Sequence, residues 1–251
     1  MGVEETIRVN STSDRIPRQR GEQLPDAAVR YAEERHWDVT PGSWLVTEDG
    51  TARCSCGDPA CPAPGVHPAG PDWAARSSAS PGEVRRLWQE RPRAGILLPT
   101  GRDFDALDVP EGAGCLALAR MERMELTPGP VISTPMRRMI FLVRPGASLK
   151  VPGMVRRLGW LPSSLGMVAR GDGDWVVAPP TRFGAGGAAQ WARRPTPENR
   201  WLPEAEELIA PLAYACARQP ESGPGARPGA GSGTARARER GAPRRAPVRG
   251  R

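Results

Sequence analysis

Residues 95–110 read GILLPTGRDFDALDVP and residues 167–181 read MVARGDGDWVVAPPT. Each stretch holds two short apolar runs broken by a glycine-containing turn. GILLP and FDALDV read as strands bridged by Thr100-Gly101-Arg102. MVAR and DWVVAPP flank Gly171-Asp172-Gly173, which is a hairpin signal.

Helices are signalled on either side. LPDAAVRYAEERHW starts near Pro25 with proline early and acids in its first turn, and it sets Ala28, Tyr31 and Ala32 on one face. Ser80, Pro81 and Glu83 have the spacing of a capping box that opens a helix to Arg91. Further helices are expected over about 111–126 and from about Pro203 to Arg218, with a short one over VRRLGW (155–160). SWLVT, VIST (131–134) and RMIFLV (138–143) read as strands, the last two around a turn at Pro135. Helices and strands mix without a βαβ rhythm, and no internal repeat is visible. The expected class is therefore α+β and not a doubly wound sheet.

Composition sets the outer limits. The chain has 251 residues, and its 58 Gly and Pro together are roughly twice the usual share. No run approaches the roughly 18 apolar residues that span a bilayer, and the first 20 residues hold no apolar signal core, so neither membrane insertion nor export is expected. The net charge is +7, but it sits at the ends. Residues 220–251 carry eight Arg against two Glu, and residues 1–21 add +1, which leaves the body neutral. Nucleic-acid binders usually carry their excess on a folded face. The expected organisation is a disordered segment over 1–22, one domain over 23–219, and a disordered Arg/Gly/Pro-rich tail over 220–251. The tail lacks the apolar side chains that would offset its ordering entropy; it reads as a solvated end or a polyanion-binding arm.

Within the loop 53–72, CSCGDPACPAPGVH places Cys54, Cys56, Cys61 and His67 in fourteen residues. Three thiolates and one imidazole complete a tetrahedral zinc shell, and a closed shell of four protein ligands is structural because no position remains for water. Five cysteines, odd in number and clustered with histidine, suit a reducing cytoplasm better than disulfides. Cys115 and Cys216 fall in expected helices and read as core residues.

Four segments then stand in a telling order: the Cys/His loop ending in His67-Pro68, ILLPTGR (96–102), ALDVP (106–110), and RGDGDWVVAPPT (170–181) with a trailing Trp191. Together they resemble the bifunctional DNA primase/polymerase (Prim-Pol) domain of the archaeo-eukaryotic primase superfamily, over about residues 24–215. The resemblance implies an α+β fold with an RRM-like mixed sheet, packed helices and a smaller N-terminal module, into which the zinc-binding loop read above would be inserted, and nucleotidyl transfer with two Mg²⁺ or Mn²⁺ ions held by carboxylates. Such domains supply an acid-x-acid pair on one strand, a histidine after a turn, and a third acid on a later strand.

This sequence departs from that pattern. Asp108 matches the first acid, but Pro110 stands at the second, Arg138 at the histidine, and Met167, Val168 and Ala169 where the third acid is expected. The leading expectation is therefore a catalytically degenerate primase/polymerase domain. Asp108 would be a remnant, and Arg137, Arg138, Arg170 and Lys150 would bind nucleotide or nucleic acid, since guanidinium groups grip phosphate without a metal. Two alternatives stand beside it: an active DNA primase/polymerase using displaced acids around Asp103, Asp105 and Asp108, and a regulatory protein-interaction scaffold with no nucleic-acid role. No G-x4-G-K-[ST] phosphate loop occurs, so any replication role requires a separate motor among its protein partners.

Overall fold

A computed structural model of the protein describes residues 23–48, 50–195 and 202–219. The expected disordered ends, 1–22 and 220–251, lie outside the described residues. At the centre is a five-stranded antiparallel sheet built from β5 (Asp105–Pro110), β6 (Val131–Thr134), β7 (Arg138–Val143), β8 (Val168–Arg170) and β10 (Gln190–Arg193), in the order β10-β6-β7-β5-β8. A smaller sheet has the order β1-β4-β9, from β1 (Thr40–Pro41), β4 (Ile96–Pro99) and β9 (Trp175–Val177). β2 (Leu45–Glu48) and β3 (Thr51–Cys54) form a separate two-stranded ribbon.

The three central strands β6, β7 and β5 are buried on both faces, and side-chain alternation sorts their residues. Leu107 and Val109 of β5 and Met139, Phe141 and Val143 of β7 pack with three helices, α3 (Glu111–Arg123), α4 (Ala147–Arg157) and α5 (Ala205–Ala217). Ala106, Ile140 and Leu142, with the opposite parity, join a second core. That core holds α1 (Leu24–Arg35), α2 (Pro81–Glu90) and the small sheet, with Trp37 and Phe104 rings 5.1 Å apart at its centre. Trp191 of β10 meets Tyr31 of α1 edge-on at 6.1 Å.

The helix starts follow local chemistry. α1 and α2 carry proline in the first turn, where its missing N–H costs nothing, and an acid beside the positive end of the helix dipole. α1 stops at His36, whose left-handed backbone (φ 56°) directs its N–H to the Ala32 carbonyl.

Two sequence expectations need correction. The turn Gly171-Asp172-Gly173 does not close a hairpin, because β8 pairs with β5 (Ala106 opposite Arg170) while β9 pairs with β4 (Leu97 opposite Val177). The chain crosses between sheets there, and it crosses again from β4 to β5. The crossings are joined by the Thr100 hydroxyl, which donates to the Gly171 carbonyl (2.6 Å), and by the Thr100 N–H, which donates to Asp174 (3.0 Å). At Gly101 (φ +104°) a Cβ would lie 2.5 Å from the Asp172 Cα, so only glycine fits.

The helix expected over 155–160 is instead α4, which begins at Ala147 and passes through Pro152. Its first turn is satisfied from another strand: the Asp105 carboxylate accepts the Ser148 N–H at 2.8 Å.

Candidate functional site

The β2–β3 ribbon delivers Cys54 to the start of the Cys/His loop, with Leu45 opposite Cys54 in register. Gly57 (φ +79°) and Gly65 (φ +78°) supply two left-handed turns that fold the loop back on itself. The donor atoms of Cys54, Cys56, Cys61 and His67 then lie within 4.8 Å of one another. Zn–S bonds of about 2.3 Å imply donor–donor edges of roughly 3.7 Å, so the four atoms fit one tetrahedral ion after small adjustments.

The ring of His67 is oriented for such a role. Its Nδ1 lies 2.8 Å from the Pro68 carbonyl, which fixes the proton on Nδ1 and leaves Nε2 facing the sulfurs, 3.2 Å from Cys54 Sγ. Its backbone is held on both sides by Ser43, whose Oγ accepts the His67 N–H (3.2 Å) and whose N–H donates to the His67 carbonyl (2.7 Å). Burial opposes ionisation of Cys54, but the N–H groups of Cys56 and Gly65, the Ser43 hydroxyl and His67 outweigh it and bring the thiol down to about 6. Burial pushes Cys61 up to about 11; the Ala63 N–H works against this, while the neighbouring Cys54 and Cys56 sulfurs reinforce it. One thiolate is thus ready for a cation, and an ion would have to displace the proton on Cys61. The supporting residues Ser43 and Gly65 were not singled out in the sequence; the glycine was the available signal.

The second candidate centre is on β5. Asp108 shares a face with Ala106, and its flanking strands bring two guanidinium groups to that face. Arg138, opposite Pro110 on β7, donates Nε to Asp108 Oδ1 at 2.7 Å. Its Nη2 donates to the carbonyls of Asp108 (2.9 Å) and Gly166 (2.8 Å). Arg170, opposite Ala106 on β8, donates Nη2 (2.7 Å) and Nε (3.2 Å) to Asp108 Oδ2. The Asp108 side chain is 7 % exposed, against 28 % for Arg138 and 20 % for Arg170. The carboxylate therefore lies beneath the two cations.

The other candidates lie elsewhere. Arg137 occupies the β6–β7 turn with a left-handed backbone (φ 56°), is largely exposed, and stands 3.6 Å from Glu111. Lys150 is on α4, in the helix layer of the opposite face, 3.4 Å from Glu206. The three acids considered as displaced ligands point three ways. Asp103 accepts the backbone N–H of Asp38 (3.0 Å), Asp105 faces α4, and Asp108 faces the two arginines. Oδ1 of Asp105 is buried without a partner. Among the described residues, the Cys/His loop is the one group of three or more His, Cys, Asp or Glu close enough to hold a metal ion. The donor set around Asp108 does not fit a divalent pair: one carboxylate is present, and both of its oxygens already take N–H donors. Cys216 is buried as expected, whereas Cys115 is exposed on α3 with its sulfur 3.8 Å from that of Met139. No helix among the described residues is long and apolar enough to cross a membrane.

Comparison with known proteins adds a family. The profile described as "Bifunctional DNA primase/polymerase, N-terminal" matches residues 28–207. Among solved structures, the chain is similar to the polymerase domain from Mycobacterium tuberculosis Ligase D in complex with DNA. The two share 12 % identity at a TM-score of 0.35, over 78 % of this chain and 92 % of that one. No curated protein sequence matches it.

Proposed function

The chain belongs to the bifunctional DNA primase/polymerase N-terminal-domain family, and on that premise we propose that it is a catalytically degenerate member that binds nucleic acid or nucleotide phosphate. Phosphoryl transfer of the family's kind needs several carboxylates on one face to hold two cations. Here a single carboxylate is matched by two guanidinium groups, so the centre carries one net positive charge. Such a centre repels a divalent ion and attracts a phosphate oxygen.

The observation that carries this reading is that each oxygen of Asp108 accepts from a different arginine. Arg138 and Arg170 are the primary phosphate contacts, and Arg137 stands at the rim. Lys150 has no part in this site. The Cys54, Cys56, Cys61 and His67 loop holds one structural zinc, which fastens residues 42–67 to the small sheet. No disulfide joins the five cysteines, and the compartment that suits such thiols is a reducing cytoplasm.

Primer extension by the full chain, with Mg²⁺ and then Mn²⁺, tests the reading. The expected result is no product above background from folded, zinc-loaded protein. Extension that vanishes in Asp108→Asn would overturn it and restore Asp108 as a metal ligand.

A further inference from the structure

The proposed function leaves open which phosphate the arginine centre takes. We infer that the cluster of Asp108, Arg138 and Arg170 receives a single phosphodiester of a single-stranded nucleic-acid backbone, without metal, and not a nucleoside triphosphate. The inference rests on the proposed phosphate-binding reading and adds the class of ligand.

Charge makes the first distinction. Two guanidiniums against one carboxylate leave one positive charge, and a backbone phosphodiester carries one negative charge. A triphosphate carries several, and proteins that hold it normally do so with a divalent ion on carboxylates. The one carboxylate here is already bonded on both oxygens. Glu111, which follows Pro110 at the start of α3, pairs with Arg137, and Asp105 lies on the opposite face of β5.

Donor geometry makes the second. Arg138 spends Nε and Nη2 on Asp108 and Gly166, and Arg170 spends Nε and Nη2 on Asp108. Nη1 of each has no protein acceptor among the described residues. Because both forks are fixed by a carboxylate below them, they are ordered before any ligand arrives, and little side-chain entropy remains to be lost on binding.

The surroundings make the third. Val168, directly opposite Asp108 on β8 and on the same face, is 45 % exposed, and Met136 in the β6–β7 turn is 55 % exposed. Apolar side chains beside a phosphate site suit the sugars and bases of a strand better than a second and third phosphate.

The test uses full-length protein in EDTA, a labelled single-stranded oligodeoxynucleotide and ATP, and the variants Arg170→Ala, Arg170→Lys and Asp108→Asn. Folding of each is checked by zinc content and circular dichroism. Oligonucleotide binding should weaken about tenfold in Arg170→Ala, and the slope of log affinity against log salt should become shallower by about 0.7, as for one lost contact to a single strand. Arg170→Lys should recover part of the loss. Asp108→Asn raises the centre from one net positive charge to two and keeps one side-chain oxygen to hold a fork, so it should bind several-fold tighter. The basic tail is common to all variants, so the differences report the centre alone. ATP should bind at least tenfold more weakly than the oligonucleotide. ATP binding as tight as that of the strand, and lost in Arg170→Ala, overturns the choice of ligand and leaves the phosphate-binding reading standing. Oligonucleotide and ATP binding both indifferent to Arg170 and Asp108 overturns both.

Discussion

The Cys/His loop and the Asp108 centre both gather side chains that can hold a cation, and they do so in opposite ways. In the loop, four donors from fourteen residues converge with no positive side chain among them. On the sheet, one carboxylate from β5 meets guanidiniums from β7 and β8, across 30 and 62 residues of chain. The first set offers four donors and brings no positive charge of its own. The second is already neutralised by its own arginines, with positive charge to spare. The contrast shows that a matched acid says little about metal binding until its neighbours across the sheet are known.

The contrast predicts effects of graded size. Removing zinc, by strong chelation or by Cys61→Ser, should have the largest. Structural zinc contributes folding energy outright, so metal analysis should fall from about one zinc per chain to none, and the thermal midpoint should drop by more than about 10 °C. Protein that melts unchanged without metal would break the comparison on the loop side.

Asp108→Ala comes next. It leaves two part-buried guanidiniums without their carboxylate, and losing one partner of a buried pair costs about 3 kcal/mol; urea unfolding measures it. An Asp108→Ala protein as stable as the parent would mean that the clamp is not what it looks like. Ser43→Ala removes the hydroxyl that accepts the His67 N–H. It should cost about 1 kcal/mol and lower zinc affinity about tenfold in a chelator competition, because supporting partners orient the ligands. The smallest effect belongs to Arg137→Ala, whose exposed pair with Glu111 should shift stability by less than about 0.5 kcal/mol in the same urea assay.

What could be read from the chain was what its near neighbours determine. The loop's ligands lie fourteen residues apart end to end, so their spacing already implied a cluster. Proline in the first turn marked α1 and α2, and Pro135 marked the turn between β6 and β7. What could not be read depends on distant partners. Gly171-Asp172-Gly173 has hairpin chemistry, yet β8 and β9 each find a strand some 60 to 80 residues earlier. α4 carries no capping side chain of its own, because Asp105 supplies it from β5. Arg138 stood out as an arginine in a histidine's place, but its target followed only from the register that sets it opposite Pro110. Arg137, its neighbour in sequence, turns outward to Glu111.

The double crossing at Thr100 and Gly171 also sets a schedule for the newborn chain. The Cys/His loop is complete once residue 67 has left the ribosome. The hydrophobic run Ile96–Pro99 cannot pair with Trp175–Val177 until nearly 80 further residues emerge, about 4–16 s at usual rates of synthesis. Over that interval the strand has Thr40–Pro41 to pair on one edge, while its other edge waits for a mate beside a Cys/His loop that is already complete. Translation therefore builds the molecule from its Cys/His loop outward, and the arginine-clamped carboxylate, which needs Arg170, forms later.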